Sequence, residues 1–414
     1  MKSIIVSLLM LGGALAGARG ENYRTDINPG LRYWEAFMMA QNVPKDARDQ
    51  LLTNDWYVQQ LPTKTGELLS GYDNVFRLLR AAAHAEVPCD LGLDLTEGPE
   101  LLLPHLAQAK SLSRIARLRV MWDLQNGKEA EARDDLLAAF AMARNVAHDG
   151  TLISVLVEIA MEHILISTVA ENYYRFSPET LKQLDDGIAA APARGTVAEA
   201  IATGEGSFVR WLAQKVQDAR KQYPGDEAAI MASLRKTVGN LFSGEGDAPS
   251  KTTEKFFQAA GGTSDGLLRI VNELPPLYER LAKIMALPRP EYEAQARLFN
   301  TEVQNSPNPL IKELVPAVDK SRPKEFSSLG KIAMLHAAVE YKLNGMAGFN
   351  SVMDPLANGP FTLERFTFQG IERGFKIKSP YTGATAPQAM IFVEKAGAPF
   401  QISGVHIGEA APKN

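Results

Sequence analysis

One cysteine, Cys89, stands in a chain of 414 residues. A single thiol forms no internal disulfide, so the fold must rest on its apolar core. Length makes that feasible: at 45% apolar residues, a chain this size can bury about three-quarters of its unfolded surface. No Asn-x-Ser/Thr acceptor occurs, which fits a bacterial envelope protein better than a eukaryotic secreted one. No Lys/Arg cluster with interleaved aromatics is present, so a nucleic-acid footprint is excluded, and a polybasic membrane-surface helix is missing too. The six histidines (His84, His105, His148, His163, His336, His406) form no H-E-x-x-H, H-x-H or E-x-x-H pair. No metal or cofactor is expected from them.

What is present begins with an export signal. Residues 1–20 carry one early positive charge, Lys2, then an apolar run and the small residues Ala14, Ala16 and Ala18. That is the pattern of a cleavable signal peptide, with cleavage expected after Ala16, Ala18 or Gly20. The run is shorter than the roughly 20 residues that cross a bilayer, and no cysteine follows it to take a lipid. Loss of Lys2 and Arg19 takes the formal charge from −4 to about −6. The expectation is an exported protein, periplasmic or extracellular, soluble and without a membrane span.

Helical periodicity dominates from Pro29 to about Arg220. Leu68, Tyr72, Val75, Phe76, Leu79 and Ala83 recur at spacings of three and four, as do Ala132, Leu136, Ala139, Phe140, Ala143 and Ala147. Asn126-Gly127 and Asp149-Gly150 read as breaks between antiparallel helices. Residues 152–170 are apolar on nearly every side, a helix for the middle of a bundle. Charges at Glu158 and Glu162 count against a membrane span. Residues 191–206, 243–266 and 287–323 read as loops between shorter helices at 208–222, 227–242 and 267–286. After a helix at 329–343, the runs 361–368, 375–377, 389–393 and 400–402 read as strands of a small antiparallel sheet. The fold class is mainly α, with stacked antiparallel helix pairs over 21–325 and a small α+β module over 326–414.

Asn28-Pro-Gly-Leu-Arg-Tyr-Trp-Glu-Ala-Phe37, Cys89-Asp90, Leu101-Leu-Leu-Pro-His-Leu106, Gly150-Thr-Leu-Ile-Ser154, Ala337-Ala-Val-Glu-Tyr341, Asp354-Pro355 and Gly359-Pro-Phe361 resemble a group of uncharacterised secreted bacterial proteins. That resemblance implies no activity. The last part is similar to the globular end of pseudopilins, without their N-terminal helix, and residues 116–147 look like one tetratricopeptide-type hairpin. No second copy follows at a fixed spacing, and an array needs three.

Several motifs touch on chemistry. Gly262-Thr-Ser-Asp-Gly266 matches G-x-S-x-G, but helical text precedes it where a nucleophile elbow needs a strand. Ser321-Arg-Pro-Lys324 and Ser328-Leu-Gly-Lys331 fit S-x-x-K, and Ser306-Pro-Asn308 and Lys64-Thr-Gly66 stand in for its companion motifs. The order is inverted, with Lys64-Thr-Gly66 read as loop and Ser328 as a helix cap. Tyr33, Trp34 and Phe37, with Trp56 and Tyr57, suit helix packing better than a groove. Cys89 reads as a small buried residue.

Glu158 and Glu162 are the retained catalytic candidates. Spacing of four places both on one helix face, with Ser154 a turn before them. Two close carboxylates raise each other's pKa, which suits acid–base work or a cation; pairing with arginine is the structural alternative. The function expected is therefore non-catalytic binding or scaffolding, with a protein partner in the cell envelope. The second reading is an envelope hydrolase or metal-binding protein using Glu158 and Glu162.

Overall fold

The computed structural model describes residues 23–53, 60–242, 251–312, 315, 320–357, 359–368, 370–381 and 388–395. The expected export signal, Trp56 and Tyr57, the strand expected at 400–402 and His406 lie outside them.

Asn28 opens the helical part. Its Oδ1 accepts the Gly30 N–H at 2.9 Å and starts helix α1 (Pro29–Gln41). Pro29 sits at the helix start, where its missing N–H is not needed. Helices α2 (Lys45–Thr53), α3 (Thr63–Ser70) and α4 (Asp73–Ala83) follow. The periodic face read over 68–83 is broken in the structure, because Gly71 ends α3 and Tyr72 becomes the residue preceding α4. Lys64-Thr-Gly66 lies inside α3, not in a loop. Gly66 is packed so closely on Trp122 that a Cβ would stand 2.2 Å from the indole.

Helices α5 (Pro104–Gln125), α6 (Glu129–Val146) and α7 (Leu152–Glu171) are the long central ones. Gly127 and Gly150, at φ 73° and 82°, supply the left-handed residue that turns the chain after each of the first two. Helix α7 is long and apolar enough to cross a membrane by length and composition. In the fold it packs against α5, α6 and elements further along the chain.

Next come α8 (Pro178–Ala190), the single turn α9 (Val197–Ala200), α10 (Gly206–Gln222), α11 (Glu227–Phe242), α12 (Lys251–Ala259), α13 (Ser264–Val271) and α14 (Leu274–Met285). The loop expected over 287–323 instead contains α15 (Arg289–Asn305), with Pro290 in its first turn. Proline there looks like a breaker in sequence but is compatible with a helix start. The helix expected at 329–343 is α16 (Ser321–Ser351), longer at both ends and kinked at Gly345 (φ 62°). Strands β1 (Thr362–Phe368), β2 (Ile371–Lys378) and β3 (Ala389–Val393) form an antiparallel sheet in sequence order. Phe375 pairs with Phe392, and Ile377 with Met390. The fold is thus mainly α with a small C-terminal α+β module.

Buried apolar side chains fall into two clusters. One combines α1–α8 with α16, β2 and β3; the other gathers residues from 197 to 326, with Val155 and Leu356. Tyr173 ties the sheet to the first cluster, its ring 5.5 Å from both Phe375 and Phe392. Helix α7 touches both clusters, since Val155 belongs to one and Met161, Leu165 and Ile166 to the other.

Candidate functional site

Thr151 caps α7, its Oγ1 accepting the Ser154 N–H at 3.3 Å. From that start, spacing of four places Ser154, Glu158 and Glu162 along one face, and all three are fully buried. Glu162 is saturated with donors. Arg144 Nε reaches its Oε1 at 3.1 Å, while Arg194 Nε at 3.0 Å and Ser328 Oγ at 3.0 Å reach Oε2. Glu158 Oε2 accepts the Gly195 N–H at 3.1 Å, and its Oε1 lies 3.5 Å from Arg194 Nε without a hydrogen bond. Arg144 is fixed further by the carbonyls of Ile188 (2.9 Å) and Pro192 (3.2 Å).

Burial first, then the Glu162 carboxylate beside it, push the Glu158 carboxyl up to about 9. Glu162 stands between two guanidinium groups, those of Arg144 and Arg194. Positive charge already stands where a bound cation would sit, and neither carboxylate lines the cavities described below. Among the described residues no group of three or more His, Cys, Asp and Glu could hold a metal. The arginine-paired alternative is what the geometry supports, in the interior and not on a solvent face.

Ser328 sits two turns inside α16, so it is not a helix cap. Its Oγ joins the Glu162 cluster, while Lys331 Nζ lies 3.0 Å from Nδ1 of His163. The serine–lysine pair is thus split between two partners on α7. In Gly262-Thr-Ser-Asp-Gly266, Thr263 caps α13 by accepting the Gly266 N–H at 3.1 Å. Ser264 Oγ accepts from Arg220 at 2.8 Å. Asn308 is buried and donates to Ile270 O (2.8 Å) and Glu273 (2.9 Å). Each of these motifs fulfils a structural need.

The motifs at the front of the chain converge on one place. Asn28 clamps Asp90 through two hydrogen bonds of 2.8 and 3.0 Å, and Trp34 Nε1 donates to Leu91 O at 3.1 Å. Trp34 also meets His105 edge-on at 5.9 Å. His105 is fully buried, with Nε2 3.4 Å from Asp149 Oδ2, and Ser154 Oγ donates to that same oxygen. Serine, aspartate and histidine are all present, but the aspartate stands in the middle. The imidazole meets Asp149 and not Ser154, so the arrangement is not a hydrolase triad. A cavity of about 120 Å³ between Cys89, Asn145, His148 and Asp149 adjoins it. Burial, then Asp90, push the Cys89 thiol up to about 12, so it is no thiolate nucleophile.

A second cavity, larger than the one beside Cys89, is not foreshadowed by any motif in the sequence. A groove of about 910 Å³ is bordered by α3, α4, α5, α6 and the end of α8. Asp135, fully buried beside it, receives Arg80 Nη1 at 2.5 Å and Arg119 Nε at 2.7 Å. Arg119 also reaches Asp73 at 2.7 Å. Asp123, 8% exposed, lines the groove, and among the described residues none donates a hydrogen bond to its carboxylate. Burial pushes it up to about 6 against the opposing pull of Arg119. Arg119 and Asp123 stand at helical spacing, but α5 also carries Lys110, Arg114 and Arg117, so the sequence did not set the pair apart. Comparison with protein-family models, curated proteins and solved structures finds no match.

Proposed function

We propose that this is a non-catalytic binding protein of the bacterial cell envelope, with the groove between α4, α5 and α6 as its ligand site. The groove carries this reading. Its volume of about 910 Å³ falls within the ~300–1,000 Å³ of small-molecule sites. Its walls are rigid helices, and the ion pairs at Asp135 hold Arg80 and Arg119 in place. The signal-like residues 1–20 support the envelope as the place of work. Pairing of Glu158 and Glu162 with Arg144 and Arg194 counts against the second reading, a hydrolase or metal protein built on those carboxylates.

Ligand-observed NMR with a fragment library tests this. Hits should lose binding in Lys128→Glu and Glu131→Lys, two charge reversals at the groove margin. Fragments that bind with no sensitivity to either reversal would move the site elsewhere. Release with the periplasmic fraction on osmotic shock is the expected location, and retention in the cytoplasm would remove the envelope from the proposal.

A further inference from the structure

Within the groove, most charges are already matched. Arg80 and Arg119 are held by Asp135 and Asp73, and Arg133 by Asp134 at 2.7 Å. A strongly charged ligand would have to break pairs that are partly buried. A short run at the end of α5 is not tied up in this way among the described residues. Asp123 is more than nine-tenths buried and lines the cavity, and among the described residues none donates a hydrogen bond to its carboxylate. Trp122, its neighbour, lines the same cavity, and Lys128 follows across the turn. The Asp123 carboxylate oxygens are not sealed from solvent, so a ligand in the groove can reach them and donate to them in place of water.

An apolar ring beside an unfilled acceptor and a cation, in a groove with little net charge, matches one ligand chemistry well. A sugar ring has C–H faces that lie on an aromatic surface, and hydroxyls that both donate and accept. We propose, resting on the binding reading above, that the groove binds a neutral oligosaccharide, laid against Trp122 with its hydroxyls donating to Asp123. Ionised at neutral pH, given a carboxyl at about 6, Asp123 offers the stronger, charge-assisted form of that bond. Lys128 supplies a donor for the ring and hydroxyl oxygens.

Saturation-transfer NMR and calorimetry with maltotriose, cellotriose and chitotriose on the full mature chain test it. At least one should bind saturably. Asp123→Ala should weaken it by about tenfold or more, the size of a lost hydrogen bond to a charged group. Asp123→Asn, which keeps an acceptor and the volume, should weaken it less and serves if the alanine variant does not fold. Failure of all three sugars, or binding indifferent to Asp123, overturns the saccharide. A cationic fragment that binds the groove when no sugar does overturns the saccharide alone and leaves the binding reading standing. Release of reducing ends from a bound sugar overturns the non-catalytic half of that reading and supports the saccharide site.

Discussion

Ser328 and Glu162, 166 positions apart, meet in the interior through a hydrogen bond of 3.0 Å from Oγ to Oε2. Arg194 Nη2 donates to the same Oγ at 3.1 Å. The hydroxyl is therefore a relay between the C-terminal helix α16 and the charged face of α7. It is a polar contact within the wider packing of α16 on α7 and α8.

Replacing Ser328 with alanine should cost about 1 kcal/mol, since Glu162 keeps both arginines and loses one donor. Replacing Glu162 with leucine should cost about 3–5 kcal/mol, because Arg144 and Arg194 would be left buried without their carboxylate. Urea unfolding of the two variants separates the cases. Equal losses would mean that the hydroxyl carries more of the cluster than its geometry indicates.

Glu158 makes the fold sensitive to alkali. Its folded carboxyl lies at about 9, against an ordinary 4.5. Between those values the folded chain keeps a proton that the unfolded chain has released. Stability then falls as pH rises through that window, by up to about 1.4 kcal/mol per pH unit. Below 4.5 both states are protonated and the contribution is flat. Glu158→Gln, which cannot titrate, should flatten the profile measured by urea midpoints at pH 5 to 9. A variant profile as steep as the parent's would place the titration elsewhere.

Gly195 tests how tightly the loop after α8 is held to that cluster. An added Cβ would stand 2.8 Å from Ala147 Cβ and 3.1 Å from Glu158 Oε2. Gly195→Ala should therefore lift the loop off α7, weaken the 3.1 Å bond from its N–H to Glu158 and cost about 1–3 kcal/mol. Hydrogen exchange at the Gly195 amide should quicken by the same substitution. An unchanged amide would show that the loop absorbs the methyl group elsewhere.

The helical text was legible because it repeats. The apolar spacing along α6 and the glycines after α5 and α6 need only local rules. The break at Gly71 was hidden, since Leu68 and Tyr72 keep helical spacing across it. The helix α15 was hidden for the opposite reason: Pro288 and Pro290 mark a beginning that resembles an interruption. At the site, the shared face of Ser154, Glu158 and Glu162 follows from counting by fours. Their partners do not. Arg194 lies in a loop 32 positions from Glu162, and Ser328 comes from another helix. The groove was hidden in the same way, because Arg80, Arg119 and Asp135 meet only once α4, α5 and α6 have packed.

Asp135 is the residue on which that groove depends. It is fully buried, with Arg80 on one oxygen at 2.5 Å and Arg119 on the other at 2.7 Å. Arg119 is also fixed by Asp73 and lies 4.6 Å above the Phe76 ring. Asp135→Ala leaves two partly buried guanidinium groups facing each other and should cost about 3–5 kcal/mol. Arg119→Lys should cost about 1.5–3 kcal/mol, because one ammonium cannot bond Asp73 and Asp135 in the planar, spread geometry of a guanidinium and also stack on Phe76. In a cycle with Arg80→Met, Asp135→Ala should be strongly non-additive, with a coupling above about 0.5 kcal/mol. Additive losses would mean that Arg80 and Asp135 act independently, and the groove wall would then need another support.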